Sequence, residues 1–184
     1  MKSILLVIFV SIQSFTFAGW TPAERISEEN TAFHPRIATN GQYIHVVYSS
    51  WMGSNFPYYI KSNDSGLTWS EPYLMIDTTI NSNAVFPLIK TSGDSVFSLW
   101  KHNIRHSDNK TIAFRRSLDN GDHWQLIVNV IPPDNYILQK HAMSISGRKA
   151  FIAYSYYEND LIYEFVKSSD GGQTWSEPEE ILRL

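Results

Sequence analysis

"SSDGGQTWSEP" occupies residues 168–178, "SNDSGLTWSEP" occupies residues 62–72, and a more diverged copy, "SLDNGDHW", stands at 117–124. The shared pattern is Ser-x-Asp-x-Gly-x-Thr-Trp, and its aspartates, Asp64, Asp119 and Asp170, fall 55 and 51 residues apart. A near-constant period of this length marks a repeat architecture. Outward from each copy the same short segments recur. Immediately upstream stand "YYIKS" (58–62), "IAFRRS" (112–117) and "IYEFVKS" (162–168), preceded by "YIHVVYS" (43–49), "SVFSLW" (95–100) and "AFIAYSY" (150–156). Alternation and β-branched and aromatic content predict strands.

Further upstream, "PRIAT" (35–39), "FPLIKT" (86–91) and "HAMSIS" (141–146) each lead into a glycine-containing turn, a hairpin signal. Downstream of the copies come "EPYLMI" (71–76), "QLIVNVI" (125–131) and "EPEEIL" (177–182). Each unit therefore reads as four antiparallel strands, over about 33–76, 84–131 and 139–184. Four-stranded sheets at this period write a β-propeller, each sheet a blade that covers its faces against its neighbours. A two-layer sandwich also suits many short strands, but identical turns at identical strand positions favour the propeller. "WTPAERI" (20–26) mimics "WSEPEEI" (175–181) and is expected to add an N-terminal outer strand, so the whole reads as a partial, all-β propeller.

Within the turn each residue type has a mechanical reason. Asp64, Asp119 and Asp170 can accept bonds from backbone N–H groups of the following loop, with Ser62, Ser117 and Ser168 and the hydroxyls of Thr68 and Thr174 beside them. Gly66, Gly121 and Gly172 suit a positive φ. Trp69, Trp124 and Trp175 are expected to bury their rings in the seam between blades. The middle copy has His123 where the others have threonine, and so loses a hydroxyl.

The first eighteen residues, "MKSILLVIFVSIQSFTFA", have one lysine, an apolar run and small residues before Gly19, the grammar of a signal peptide. The run is too short for a membrane span. A secreted or periplasmic protein of about 166 residues is expected, long enough for a core. It has no cysteine, so disulfides and thiol chemistry are excluded. The formal charge of −3 becomes −4 once Lys2 leaves with the leader, which argues against a nucleic-acid partner.

The three turns resemble Asp-boxes, the bacterial neuraminidase repeats of sialidases and sialidase-like propellers, and the resemblance covers the chain from about Phe33 onward. It implies a glycan or glycoprotein partner, a possible exo-sialidase-type glycoside hydrolase activity, or else a noncatalytic propeller that binds glycan or protein. It implies six blades where three are visible, so that the chain alone lacks part of the machinery, and either further blades or self-association complete it. No metal or cofactor is expected. One carboxylate per box is too few for a calcium loop.

In such propellers the boxes lie away from the ligand, which meets the loops between second and third strands, those between blades, and the residues opening each innermost strand. Arg36 opens the first: "FHPRIA" keeps the Arg-Ile pair of the family's Arg-Ile-Pro motif with the proline moved ahead of the arginine. A guanidinium fork suits a sugar carboxylate, so Arg36 is a candidate clamp. Asp108 is a candidate acid, since glycoside hydrolysis needs a proton donor at the leaving oxygen. The loop "KHNIRHSDNK" (101–110) also offers His102 and Arg105 as ligand contacts. Its His-x-x-x-His spacing suggests zinc only on a helix, and solvated loop histidines are the simpler reading. Trp51 and Tyr157 could stack on a sugar ring, with Glu158 beside Tyr157.

Overall fold

The computed structural model describes residues 23–27, 31–51, 55–77, 82–104, 110–131 and 137–184, and those residues form no helix. Twelve strands make three four-stranded antiparallel sheets, each meandering outward in chain order. Blade 1 contains β1 (Ala32–Asn40), β2 (Tyr43–Trp51), β3 (Asn55–Ser62) and β4 (Tyr73–Leu74). Blade 2 contains β5 (Ser82–Ser92), β6 (Ser95–Ile104), β7 (Lys110–Ser117) and β8 (Val128–Asn129). Blade 3 contains β9 (Ile137–Ser146), β10 (Lys149–Tyr157), β11 (Leu161–Ser168) and β12 (Glu179–Arg183). The innermost strands neighbour one another, β5 lying against β1 and β9.

The propeller arrangement is present, as the boxes foretell, with two differences in extent. The outermost strands of blades 1 and 2 are only two residues long, while that of blade 3 has five. The expected N-terminal outer strand is not formed by residues 23–27. Its start lies outside the described residues, as does the leader. Ile26 instead packs against the blade 1 face that carries Val46, Tyr48 and Ile60. Among the described residues no helix is long and apolar enough to cross a membrane.

Two apolar cores lie between blades, not within them. Val47 and Tyr59 of blade 1 meet Ala84, Ile89, Val96 and Trp100 of blade 2. Phe97, Leu99 and Phe114 of blade 2 meet Leu138, Met143, Ile152 and Tyr154 of blade 3. Side-chain alternation along a strand sends successive residues to opposite faces, so one strand serves both seams. Burying each large side chain contributes roughly 1.5–3 kcal/mol, and the radial stack depends on it.

The boxes aim their tryptophans into these seams. Trp124 meets Tyr59 of the preceding blade edge-on, with centroids 4.9 Å apart, and Trp175 meets Phe114 the same way at 5.2 Å. Edge-to-face contact suits the ring quadrupoles. The box glycine admits that same aromatic ring: a Cβ on Gly121 would fall 1.9 Å from the Tyr59 hydroxyl, and one on Gly172 2.4 Å from the Phe114 ring. Both glycines have positive φ, 82° and 83°. Cations add to each seam. Lys61 Nζ reaches Asp122 Oδ1 at 2.5 Å, and Arg116 Nη1 donates to the carbonyls of Asp170 and Gly171 at 2.9 and 2.6 Å.

Inside each box the serine oxygen accepts from the glycine N–H (2.8 Å for Gly66 to Ser62, 2.9 Å for Gly121 to Ser117, 2.8 Å for Gly172 to Ser168) and donates to the aspartate. The other aspartate oxygen takes the threonine hydroxyl, Thr68 onto Asp64 and Thr174 onto Asp170. In box two, where the hydroxyl is absent, a bond at this position is kept: His123 Nδ1 stands 2.7 Å from Asp119 Oδ2. A ring nitrogen takes the place of the hydroxyl. These donors hold the Asp64 carboxyl at about 2 and those of Asp119 and Asp170 lower still, hydrogen bonds being the main cause in all three.

Two outcomes follow. Gly172→Ala adds a clash with Phe114 to the φ strain, whereas Gly41→Ala, with open space around it, meets φ strain alone. Urea unfolding is expected to show a loss of about 3 kcal/mol for the first and about 1 kcal/mol for the second. The box carboxylates have folded pKa values below the unfolded value of about 3.9, so they stabilise the fold fully above that pH and lose this contribution as pH falls toward 2. Unfolding midpoints followed from pH 6 to pH 2 are expected to fall steeply below about pH 4, and less steeply in Asp170→Asn, which has one titrating carboxyl fewer.

Candidate functional site

Antiparallel meandering puts the β1–β2 and box turns of a blade at one end and the β2–β3 hairpin at the other, where the innermost strand also begins. The box end is tied across blades: Asn40 Nδ2 donates to Gly93 O at 2.8 Å, and Gly147 N to Ser92 Oγ at 3.1 Å. The opposite end, the mouth, is where a ligand can approach the strand openings.

Two of these openings share an irregularity. β1 has a bulge between Phe33 and Arg36, and β5 one between Val85 and Leu88. Each holds a proline, Pro35 or Pro87, which cannot donate to a ladder. The residue before it has positive φ, 53° at His34 and 57° at Phe86, a strained state for a non-glycine. The two rings meet with centroids 4.5 Å apart. The bulge leaves Arg36 exposed, its Nη1 donating to Pro35 O at 2.8 Å.

β9 has His141 at the position that the repeat fills with Pro35 and Pro87. His141 Nε2 lies 2.8 Å from Phe86 O. A carbonyl only accepts, so Nε2 bears the hydrogen and Nδ1 of the neutral ring keeps its lone pair. Burial is the main cause that pushes the His141 pKa down. The Phe86 carbonyl opposes it, and the charges of Lys101 and Arg36 add to the lowering. Lys101, half-buried on β6, donates to Leu138 O at 2.6 Å, and burial followed by Lys110 lowers its pKa also. Arg36, Lys101 and His141 thus converge from three strands and three blades.

The other sequence candidates are distributed differently. Trp51 ends β2 and is exposed; Tyr157 ends β10 and is exposed, and Glu158 sits in the following hairpin with its N–H on Asp160 O. His102 is not a solvated loop residue: β6 continues through Ile104, and His102 is buried there in register with Ala84 and Thr111. Burial lowers its pKa. Arg105 and Asp108 lie outside the described residues. Among the described residues no group of three His, Asp or Glu could hold a metal ion.

Sequence reading passed over Lys101, His141 and Glu164. Glu164 on β11 accepts from Tyr154 Oη at 2.5 Å and from Tyr156 Oη at 3.1 Å. Both tyrosines project from one face of β10, two residues apart. Burial first and the Glu164 charge second push the Tyr156 phenol up to about 12, so it stays protonated at neutral pH. The signal was available: aligned on the boxes, Glu164 stands where blades 1 and 2 have Tyr58 and Ala113, and a lone carboxylate in an otherwise non-ionic column needs a partner.

No protein-family model matches the sequence, and no curated protein sequence matches it. Solved structures do match. A Hadza microbial sialidase superposes with a TM-score of 0.62 at 14% identity, over 83% of this chain and 38% of that one. The Trypanosoma rangeli sialidase in complex with sialic acid gives 0.57 at 13%, over 79% and 30%. An α-L-arabinofuranosidase of Fusarium graminearum in complex with arabinobiose gives 0.58 at 16%, over 83% and 49%. The chain therefore has a sialidase-like β-propeller fold, and it spans less than half the length of each of these structures.

The Tyr156–Glu164 pair supplies a test of the site electrostatics. In Glu164→Gln the phenol loses a neighbouring negative charge, and its ionisation midpoint, read by ultraviolet difference titration, is expected to fall from about 12 toward 10.

Proposed function

We propose that this chain is the carboxylate-recognising part of an exported, sialidase-like propeller that acts on acidic glycans. The observation that carries the reading is the convergence of Arg36, Lys101 and His141 at the mouth of a chain whose overall charge is negative. A local cation cluster on an acidic protein suits an anionic ligand of small size. Arg36 has N–H groups free for a two-point hold on a carboxylate. Lys101 adds a positive charge in a half-buried setting where solvent screens it less. The free Nδ1 of His141 can accept from a sugar hydroxyl. The sialic acid complex of a structural neighbour has such a carboxylate in its ligand. Trp51 and Tyr157, exposed on hairpins at the same end, offer apolar faces for a sugar ring.

The described residues bring no carboxyl group up to Arg36, and Asp108 is the proposed acid in the hydrolase form of this reading. Hydrolysis would then draw on blades beyond these three, and the chain alone would bind without turnover.

Titration calorimetry with N-acetylneuraminic acid and with its methyl ester tests the reading. The acid is expected to bind and the ester, uncharged, to bind at least tenfold more weakly. Arg36→Ala is expected to cost the acid about 1.5–3 kcal/mol and the ester little. The sign of the pH dependence is fixed: as pH falls below the ordinary histidine range and through the lowered pKa of His141, the ring gains a proton and a positive charge, so the acid binds more tightly with falling pH while it stays ionised. Equal affinity for acid and ester would sink the proposal. Release of a fluorogenic sialoside, lost in Arg36→Ala, would establish the hydrolase form.

A further inference from the structure

Four non-glycine residues among those described have positive φ. Ser65 and Asn120 stand directly before a box glycine, in turns that call for that conformation. His34 and Phe86 lie inside strands, at φ 53° and 57°, and each precedes a proline. A residue before proline is pushed toward extended backbone, and a side chain with a Cβ is strained at positive φ. Strain of this kind persists only where surrounding contacts hold it, and it points to a use.

Those contacts converge on Phe86. Its ring packs on the His34 ring at 4.5 Å between centroids, and His34 in turn meets Phe33 edge-on at 5.0 Å. Its carbonyl accepts from His141 Nε2 at 2.8 Å. Phe86 thus joins the openings of β1, β5 and β9, and Arg36 stands two residues beyond His34 in the same bulge. The Phe86 side chain keeps 40% of its surface exposed, so burial of the ring does not account for the backbone it imposes.

Position 141 is where the repeat departs. Blades 1 and 2 have Pro35 and Pro87 there, whose rings have no N–H. Blade 3 has a donor, and the carbonyl it meets is that of the strained residue in the preceding blade. Lys140, the residue before His141, has no positive φ. The third opening is therefore unstrained and receives the tether that the second one offers.

We propose that Phe86 is the positioning residue for His141. Its left-handed backbone aims the carbonyl at Nε2, which fixes the tautomer with the lone pair on Nδ1 and orients the imidazole beside Arg36 and Lys101, while its ring, braced on His34, holds that backbone in place. An extended residue 86 would turn the carbonyl back along the strand and take the acceptor away. The use of the lone pair rests on the reading of the mouth as an anion site; the positioning itself does not.

Nitrogen-15 spectra of the histidine side chains, recorded at about pH 8 where a neutral ring is expected, test this without any ligand. The His141 signals are assigned by their loss in His141→Gln. Wild type is expected to show Nε2 bearing the hydrogen and Nδ1 bare. Phe86→Gly and Phe86→Asn, which tolerate positive φ, keep that pattern although the ring is gone. Phe86→Val, whose branched side chain resists positive φ, loses it, and both tautomers appear. Circular dichroism checks that each variant is folded; if valine does not fold, glycine and asparagine still decide. Loss of the pattern in the glycine and asparagine variants, or its survival in a folded valine variant, would overturn the inference. Calorimetry with N-acetylneuraminic acid then reads the consequence: Phe86→Val binds about tenfold more weakly than Phe86→Gly. Should wild type not bind the acid, the anion reading falls, and the nitrogen spectra still decide the role of Phe86.

Discussion

The structure depends on one contact: an aromatic ring from the third strand of a blade laid over a side-chain-free glycine and edge-on to an indole of the next blade. Each four-stranded sheet has two apolar faces and too few residues to bury them on itself, so its stability lies in its neighbour. The box solves a positioning problem. A serine and an aspartate fix the turn through bonds to the loop's own N–H groups, the turn puts the glycine at positive φ, and the glycine clears the space into which the neighbouring ring fits. Removing the carboxylate would loosen the turn, and the loss would be felt at the seam.

Because the boxes sit at one end, the other end is free to vary. There the innermost strands open with a proline-containing bulge in two blades, and the bulge exposes Arg36 beside His34. Blade 3 puts His141 in place of the proline, and its ring bonds to the carbonyl of strained Phe86. A departure from the repeat thus creates both a tether between blades and a group with a free lone pair. The cations at this end come from separate blades, so their spacing is set by the same ring-on-glycine contacts that hold the seams.

The architecture was legible because its determinants are local. Gly121 and Trp124 are readable from eight residues of sequence, and their period gives the blade count directly. The mouth was less so. Arg36 stood out through a short family pattern, but Lys101 and His141 lie in strands, where alternation hides them among core-facing neighbours, and their convergence is a fact of three dimensions. His102 misled in the opposite direction: a polar string at 101–110 reads as loop, while pairing with β7 extends β6 through it and buries the ring. His123 shows a subtler limit. The sequence shows a lost hydroxyl, whereas the geometry asks only for a donor at that distance from Asp119, and an imidazole nitrogen provides one.

Two groups of charge stand at opposite ends of the strands. Asp64, Asp119 and Asp170 are ionised far into acid because their hydrogen-bond donors are built into the box, and they occupy one end of the blades. Arg36, Lys101 and His141 occupy the other. Three cations from three blades, close enough for Lys101 and Arg36 to act on His141, make a local positive field at the mouth that favours small anions there. The fold's need for buried turns at the rim and the site's need for positive charge near the axis are therefore met by opposite ends of the same strands, and neither constrains the residues that serve the other.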